Sequence, residues 1–168
     1  MIKYSTQDIS ADDIQAVVEA LKGDVLTQGP LLVKFESKVA ERVSAKYSIA
    51  TNSATSALHL SCIALGLKKG DEVIVPCKSY QSSASSIVTS GGTPIFCDID
   101  FNSQNIDTND LQRKISKKTK AIICVHLGGW PCDMDKIVKI ANKKKLILIE
   151  DCSQAHGAKI KNKFVGSF

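Results

Sequence analysis

The hydrophobic residues of the first 46 positions recur at the spacing of an α-helix. They lie three or four residues apart, at Ile14, Val17, Val18 and Leu21. Ser10 with Asp13 three residues later is typical of a helix start, and Gly23 ends the run. A second apolar stripe follows Pro30, a residue that suits the first turn of a helix. We therefore predict a helical N-terminal segment over residues 1–46.

From residue 47 the pattern changes to short apolar runs that alternate with helix-length segments. The runs predict strands over residues 47–51, 72–75, 95–98, 121–125 and 146–150. The segments between them predict helices over residues 53–65, 81–90, 107–115 and 133–143. Strands this apolar are typical of a parallel sheet covered by helices on both faces. We predict an α/β domain over residues 47–168, with three αβα layers and a mostly parallel sheet.

Composition and cysteine usage fit an ordinary globular chain. The 168 residues are 43% hydrophobic and carry a net charge of +5, and a chain of this length buries a core without disulfides or a metal. The six cysteines include no C-x-x-C pair, so we predict reduced core thiols. Nucleic-acid interfaces concentrate arginine and aromatic residues, but the basic residues here are almost all lysine and only 5% of the chain is aromatic. We expect no nucleic-acid partner.

The hydropathy of the chain bears on membranes and on location. Its longest apolar runs, 121–125 and 146–149, are far shorter than the roughly 20 residues that cross a bilayer. The N-terminal residues Met1 to Tyr4 lead directly into polar residues without an apolar signal region. We expect no membrane partner and a cytoplasmic location.

Polar residues at the ends of the predicted strands are the candidates for chemistry, because ligands of open parallel sheets bind at the carboxyl ends of the strands. Residues 51–56 follow one strand and open a helix, so their N–H groups and hydroxyls could bind a phosphate. Ser53 acting only as a helix cap explains the same residues equally well. Tyr80 follows the next strand and could stack on a planar ligand, although a buried packing tyrosine also fits.

The segment 150–157 places an acid, an amide and an imidazole directly after an apolar strand. A carboxylate at the depth of Asp151 needs a partner, because burial of an unpaired charge is costly. A protonated heterocyclic nitrogen is such a partner, and Gln154 is placed to hydrogen-bond a neighbouring ring substituent. A phosphate cradle, a stacking ring and a buried aspartate are together what pyridoxal phosphate requires.

The order and spacing of five segments carry a resemblance to a known family. The segments are 26–30, 55–60, 70–76, 92–100 and 150–158. They resemble the DegT/DnrJ/EryC1/StrS family of sugar aminotransferases, which has the aspartate-aminotransferase-like fold of fold type I pyridoxal-phosphate enzymes. The resemblance implies pyridoxal phosphate as cofactor and a homodimer. It also implies transfer of an amino group, typically from glutamate, to a keto carbon of a nucleotide-linked deoxysugar for lipopolysaccharide or other surface-glycan synthesis.

The resemblance also assigns roles to individual residues. It implies that Ala54, Thr55 and Ser56 bind the cofactor phosphate and that Tyr80 stacks on the ring. It also implies that Asp151 pairs with the pyridine nitrogen and that Gln154 contacts the ring hydroxyl. His126 and His156 would line or support the site, with a purely structural role as the alternative. The chain departs from the family pattern at two positions. Ala54 stands where the family usually has glycine, and Val25 where an aromatic residue commonly precedes Leu-Thr.

The resemblance places the Schiff-base lysine of the family beyond Phe168, so we nominate no catalytic lysine and expect residues 47–168 to be a truncated large domain. A nucleotide-sugar 3-dehydratase of the same family, which has histidine in place of that lysine, is one alternative. A non-catalytic fragment is another. Asp98-Ile99-Asp100 is a remote third possibility, a magnesium-dependent phosphatase, but the motif lacks the threonine that such enzymes place after it. We expect no metal site.

Overall fold

The computed structural model describes residues 6–168, and the chain divides into two compact units between Ala50 and Thr51. The sequence predicts this boundary four residues earlier, after Lys46. Residues 47–50 belong to the first unit, where the Glu36 carboxylate accepts the N–H of Ala50 at 2.8 Å. The N-terminal residues that bear on a signal region lie outside the described residues.

The first unit contains two helices, α1 over Ala11–Leu21 and α2 over Pro30–Arg42. Helix α1 begins with the predicted capping box: the Ser10 hydroxyl accepts the N–H of Asp13 at 3.2 Å, and the Asp13 carboxylate accepts the N–H of Ser10 at 2.8 Å. Pro30 occupies the first turn of α2. Both helices therefore begin where the sequence predicts them.

The second unit contains a four-stranded sheet. Its strands are β1 over Glu72–Pro76, β2 over Thr93–Cys97, β3 over Thr119–Val125 and β4 over Ile147–Asp151. Their order is β2-β1-β3-β4, and every neighbouring pair is parallel. Its helices are α3 over Ala54–Ala64, α4 over Ser82–Thr89, α5 over Thr108–Lys114 and α6 over Met134–Lys144.

Alternation along the central strands builds two hydrophobic layers, because successive side chains of a strand point to opposite faces. On one face the side chains of β1 and β3 pack with those of α3 and α4, including Leu58, Cys62 and Ile87. On the other face, Ile74 and Ile122 belong to the layer that includes side chains of α5 and α6. The predicted three-layer αβα arrangement with a parallel sheet is confirmed.

One predicted strand is wrong. Residues 47–51 have irregular backbone, and Tyr47 and Ile49 are 74% and 80% exposed. Apolar alternation produces a strand only where a neighbouring strand supplies backbone hydrogen bonds. Residues 47–51 pair with no strand in the part of the chain that the structure describes. The other four predicted strands match β1 to β4 within two residues at either end.

A short hairpin near the C-terminus has no counterpart in the sequence prediction. Strand β5, Lys159–Ile160, pairs antiparallel with β6, Lys163–Phe164. Lys161 in the turn has φ of 55°, a left-handed conformation that two-residue hairpin loops require. Two-residue strands are too short to show a hydrophobic period.

Most, but not all, of the cysteines lie in the core that the sequence predicts for them. All six thiols are free, and four of them are buried, at Cys62, Cys97, Cys124 and Cys132. Cys77 is exposed and Cys152 is half-buried. Across residues 6–168, no helix combines the length and the apolar character that a membrane span requires.

Glu150, in strand β4, connects three parts of the second unit. Its carboxylate accepts the N–H groups of Gly166 and Phe168, each at 2.8 Å, and lies 3.2 Å from Nε2 of His126. Nδ1 of His126 accepts the N–H of Cys132, so the ring proton is on Nε2 and is donated to Glu150. Burial opposes ionisation of Glu150, but these three donors outweigh it and hold the pKa of its carboxyl below the ordinary value.

We expect truncation of a central strand residue to be costly. Ile123 in β3 is fully buried, so Ile123→Ala should lower the free energy of unfolding by about 2–5 kcal/mol through lost burial and a residual cavity. Ile147 at the start of β4 is 52% exposed, and Ile147→Ala should cost less than about 1 kcal/mol. Urea denaturation followed by circular dichroism measures both, and equal losses would contradict the assigned core.

We expect Glu150→Gln to lower the free energy of unfolding by about 1–3 kcal/mol at pH 7, because a neutral amide accepts fewer of the three bonds. The pKa of Glu150 is lower in the folded chain than its ordinary 4.5. Its contribution is therefore present above pH 4.5 and is lost as the pH falls through the folded value. Urea denaturation across this range should show wild type and variant converging in acid. Glu41→Gln, an exposed change of the same chemistry, should have little effect at any pH.

Candidate cofactor-binding site

A cavity of about 190 Å³ lies at the carboxyl ends of β1, β3 and β4. Its wall contains the residues Ala54, Thr55, Ser79, Tyr80, Ser82, Val125, Leu127, Asp151, Ser153 and Gln154. Five of the residues that the resemblance assigns to the cofactor are in this wall. Three widely separated segments of sequence, 54–55, 80 and 151–154, therefore meet at one place. This convergence follows from the parallel sheet, which brings the ends of its strands to a common edge.

The start of helix α3 forms one side of the cavity. Ser53 is the extended cap residue, and its hydroxyl accepts the N–H of Ser56 at 3.2 Å. The N–H groups of Ala54 and Thr55 lie in the first turn, where no acceptor exists within the helix. Together with the positive end of the helix dipole, these groups suit an anion such as a phosphate. Ser53 caps the helix, and the cap still leaves donors for a ligand.

Two of the assigned phosphate ligands need closer description. Ala54 begins α3 and is not among the residues with positive φ, so alanine in place of the usual glycine causes no backbone strain. The Ser56 hydroxyl donates to Asn52 at 2.7 Å and lies 3.1 Å from the Ser53 hydroxyl. Ser56 is thus engaged within the cap and is not part of the cavity wall.

Tyr80 lies in the loop between β1 and α4, and 76% of its surface is exposed. A tyrosine that packed in the core would be covered by its own unit. The exposed ring at the cavity therefore excludes the packing alternative and leaves an aromatic face free to contact a planar ligand.

Asp151 is the last residue of β4 and is only 8% exposed. Its carboxylate accepts the N–H and the hydroxyl of Ser153, at 3.1 and 2.5 Å, and lies 3.4 Å from the hydroxyl of Ser83. None of the ion pairs formed by the described residues includes Asp151. A buried carboxylate held only by neutral donors favours a cationic group of a ligand as its missing partner.

Gln154 is oriented by a glycine turn. Its side-chain oxygen accepts the N–H of Gly128 at 2.8 Å, which leaves the NH₂ group as a donor. Gly128 and Gly129 have φ of 61° and 84°. A Cβ atom on Gly129 would lie 3.2 Å from the carbonyl oxygen of Gln154, so the close approach requires glycine. The free NH₂ suits an oxygen substituent on a ligand.

The two candidate histidines do not line the cavity. His126 is fully buried and bonds Glu150 and Cys132, which gives it the supporting, structural role. His156 is exposed. The ligand atoms of His126, Glu150 and Cys152 lie within 4.8 Å of one another, a spacing that could hold a metal ion. Both ring nitrogens of His126 are already used in hydrogen bonds, however, so the cluster fits a hydrogen-bonded network better than a metal site.

The carboxylates of the Asp-x-Asp motif stabilise local turns. Asp98 accepts the N–H of Ile99 at 2.8 Å, and Asp100 accepts the N–H groups of Asn102 and Ser103 at 3.1 and 2.8 Å. These bonds hold the pKa of Asp100 below its ordinary value. The turn after β2 thus explains why two aspartates stand at these positions. This removes the main reason for the phosphatase hypothesis.

Five residues of the cavity wall have no individual role in the sequence prediction, although three of them lie in loops that follow predicted strands and are candidates on that ground. The five are Ser79, Ser82, Val125, Leu127 and Ser153, and the three are Ser79, Leu127 and Ser153. A signal existed for Ser153, because a residue two positions after an aspartate commonly donates its N–H to that carboxylate. No comparable pattern assigns a role to the other four residues, and their contact with the cavity depends on packing between separate segments.

Comparison with known proteins points to the same family as the sequence motifs. The model of the DegT/DnrJ/EryC1/StrS aminotransferase family matches residues 7–168. GDP-perosamine synthase from Escherichia coli O157:H7 is 46% identical over 144 residues, which are 86% of this chain and 40% of that protein. The chain thus spans less than half the length of this curated relative.

Solved structures share the fold. The putative sugar aminotransferase Spr1654 from Streptococcus pneumoniae, in its PLP form, superposes with a TM-score of 0.91 at 32% identity, over 99% of this chain and 46% of that one. A GDP-4-keto-6-deoxymannose-3-dehydratase with a trapped PLP-glutamate geminal diamine gives 0.90 at 33% identity, over 99% of this chain and 45% of that one. These likenesses confirm the predicted fold type I architecture. The chain belongs to the DegT/DnrJ/EryC1/StrS aminotransferase family.

Proposed function

We propose that this chain supplies the cofactor-binding part of a pyridoxal-phosphate-dependent enzyme. Its reaction is the transfer of an amino group, typically from glutamate, to a keto carbon of a nucleotide-linked deoxysugar. One observation carries the proposal. Asp151, buried and without a cationic partner in the described part of the chain, shares a cavity with the N–H groups that begin helix α3.

The residues of the cavity that we assign to the cofactor would each bind a different part of it. The first N–H groups of α3 and the Thr55 hydroxyl bind the phosphate. Tyr80 covers a face of the ring, and the Gln154 NH₂ donates to the ring oxygen. Asp151 would accept a hydrogen bond from the N–H of the ring nitrogen and would keep that nitrogen protonated, because its carboxylate stabilises the positive charge. When bound, the cofactor supplies an electron sink for the carbon that exchanges its proton.

The comparisons support the proposed substrate class. One relative is named for a GDP-sugar product and one structural neighbour for a GDP-sugar substrate, and the neighbour also holds a PLP-glutamate adduct. A nucleotide sugar as acceptor and glutamate as amino donor are consistent with both names. A role in lipopolysaccharide or other surface-glycan synthesis, a homodimer and a cytoplasmic location complete the proposal, following the family resemblance.

A 3-dehydratase is the second candidate, and the likeness to the GDP-4-keto-6-deoxymannose-3-dehydratase favours it. The cavity described here serves both reactions, because each needs the phosphate, the ring and its nitrogen to be bound. The two outcomes differ in product: an amino sugar for the transferase and a 3-deoxy sugar for the dehydratase. A chain that binds the cofactor without turnover is the third.

Asp151 provides the direct test of the proposed site. We expect Asp151→Asn to weaken binding of pyridoxal phosphate by about tenfold or more, because the amide loses the charge-assisted bond to the ring nitrogen. Equilibrium dialysis with absorbance detection of the cofactor measures the affinity. Asp135→Asn, the same change on the surface of α6, should bind like wild type. Equal affinity of wild type and Asp151→Asn would contradict the proposal.

Borohydride reduction tests the assignment of no catalytic lysine to this chain. Lys78, Lys159, Lys161 and Lys163 do not match the family position, so we expect reduction with bound cofactor to leave no stoichiometric adduct at a single lysine. Peptide mass spectrometry of the reduced protein measures the site and extent of labelling. A stoichiometric adduct at one of the chain's lysines would overturn the assignment.

A further inference from the structure

The two oxygens of Asp151 differ in how many hydrogen bonds they accept. Oδ1 accepts both the N–H of Ser153 at 3.1 Å and its hydroxyl at 2.5 Å. A carboxylate oxygen has two lone pairs, so Oδ1 is saturated. Among the donors of residues 6–168, Oδ2 accepts only the hydroxyl of Ser83, at 3.4 Å, which is near the outer limit of a hydrogen bond. One strong acceptor position therefore remains on this carboxylate, and it is on Oδ2.

The Ser83 side of the carboxylate is a relay of hydroxyl groups. Ser83, in α4, is 1% exposed, and its hydroxyl lies 2.7 Å from that of Ser79. A carboxylate can only accept, so donation runs from Ser79 to Ser83 and then to Oδ2 of Asp151. The long final step leaves Oδ2 able to form a shorter bond with a ligand. Ser83, which is not part of the cavity wall, thus contacts Oδ2 only weakly and leaves that acceptor position open.

Ser153 differs from Ser83 because it lines the cavity and makes the shortest contact to the carboxylate. We propose that Ser153 is a positioning residue: by saturating Oδ1, it presents Oδ2 of Asp151 as the acceptor for the ring nitrogen of the bound cofactor. This inference rests on the proposed function, since it concerns the same site.

Rotation of the carboxylate explains why such a residue is needed. The terminal torsion of an aspartate is broad, so a carboxylate whose oxygens are not held by close donors can turn about the Cβ–Cγ bond. The Ser153 hydroxyl and N–H together hold Oδ1, which restricts this rotation before the ligand arrives. Without the hydroxyl, part of the binding free energy is spent on ordering the carboxylate. The loss falls on ligands that bond to Oδ2 through a ring N–H.

A pair of ligands and a pair of variants test the inference. The ligands are pyridoxal phosphate and its 1-deaza analogue, in which carbon replaces the ring nitrogen. We expect Ser153→Ala to weaken pyridoxal phosphate binding about threefold to tenfold and to leave binding of the deaza analogue unchanged. Ser153→Thr keeps the hydroxyl and should restore the affinity. Ser85→Ala, a serine of α4 outside the cavity wall, is the matched control and should bind both ligands like wild type.

Coupling to Asp151 completes the test. In the Asp151→Asn background, Ser153→Ala should have no further effect on pyridoxal phosphate binding, because the bond that it prepares is already lost. Equal weakening of both ligands by Ser153→Ala would show a merely structural role and overturn the inference. Unchanged binding of both would overturn it as well, with the proposed function intact. A wild-type chain without affinity for pyridoxal phosphate would overturn the proposed function itself.

Discussion

Strand β4 ends in two adjacent carboxylates that are both nearly buried. They differ in how fully the chain itself supplies their hydrogen-bond donors, and this difference gives one a structural role and the other a ligand-binding role. Glu150 and Asp151 point to opposite faces, because successive side chains of a strand alternate. Glu150 accepts donors from His126 and from two backbone N–H groups of the C-terminal segment. Within the described part of the chain, the carboxylate of Asp151 accepts only neutral donors from Ser83 and Ser153 and keeps an acceptor position. A buried charge that its own chain satisfies stabilises the fold, whereas one left incompletely satisfied is ready for a ligand.

The parallel sheet determines where that incomplete carboxylate lies. Strands β1 and β3 are buried on both faces, since Val73 and Ile123 pack into one helical layer and Ile74 and Ile122 into the other. A sheet closed on both faces leaves its strand ends as the places where polar side chains can meet solvent and one another. The first turn of α3, the loop after β1 and the end of β4 therefore share one cavity. The position of the candidate site residues on these segments is therefore a consequence of the layer arrangement.

The local sequence pattern predicts most of this arrangement. It does not predict features that depend on contacts with residues far away in the sequence. The helices and the four paired strands follow from apolar spacing, and Asp151 and Gln154 from their place after an apolar strand. Residues 47–51 have the same apolar character, yet a strand also needs a neighbour, which no local pattern reveals. The cofactor-binding role that the resemblance implies for Ser56 stays a prediction, and its hydroxyl bonds to Asn52 within the helix cap. The role of His126 depends on Glu150, which is 24 residues away. Ser79 reaches the cavity wall only because the loop after β1 packs there.

The electrostatics of the cavity restrict its ligand more sharply than its volume does. Helix α3 begins with unpaired N–H groups and the positive end of a dipole, which stabilise negative charge. Asp151 supplies a buried negative charge that only neutral hydroxyls and one N–H offset. An uncharged ligand would leave both features unsatisfied, and an anion alone would be repelled by Asp151. The best ligand carries an anionic group and a protonated nitrogen on one rigid frame, with a flat surface for Tyr80 between them. A phosphorylated pyridinium satisfies all three conditions, so the site selects for charge distribution as well as shape.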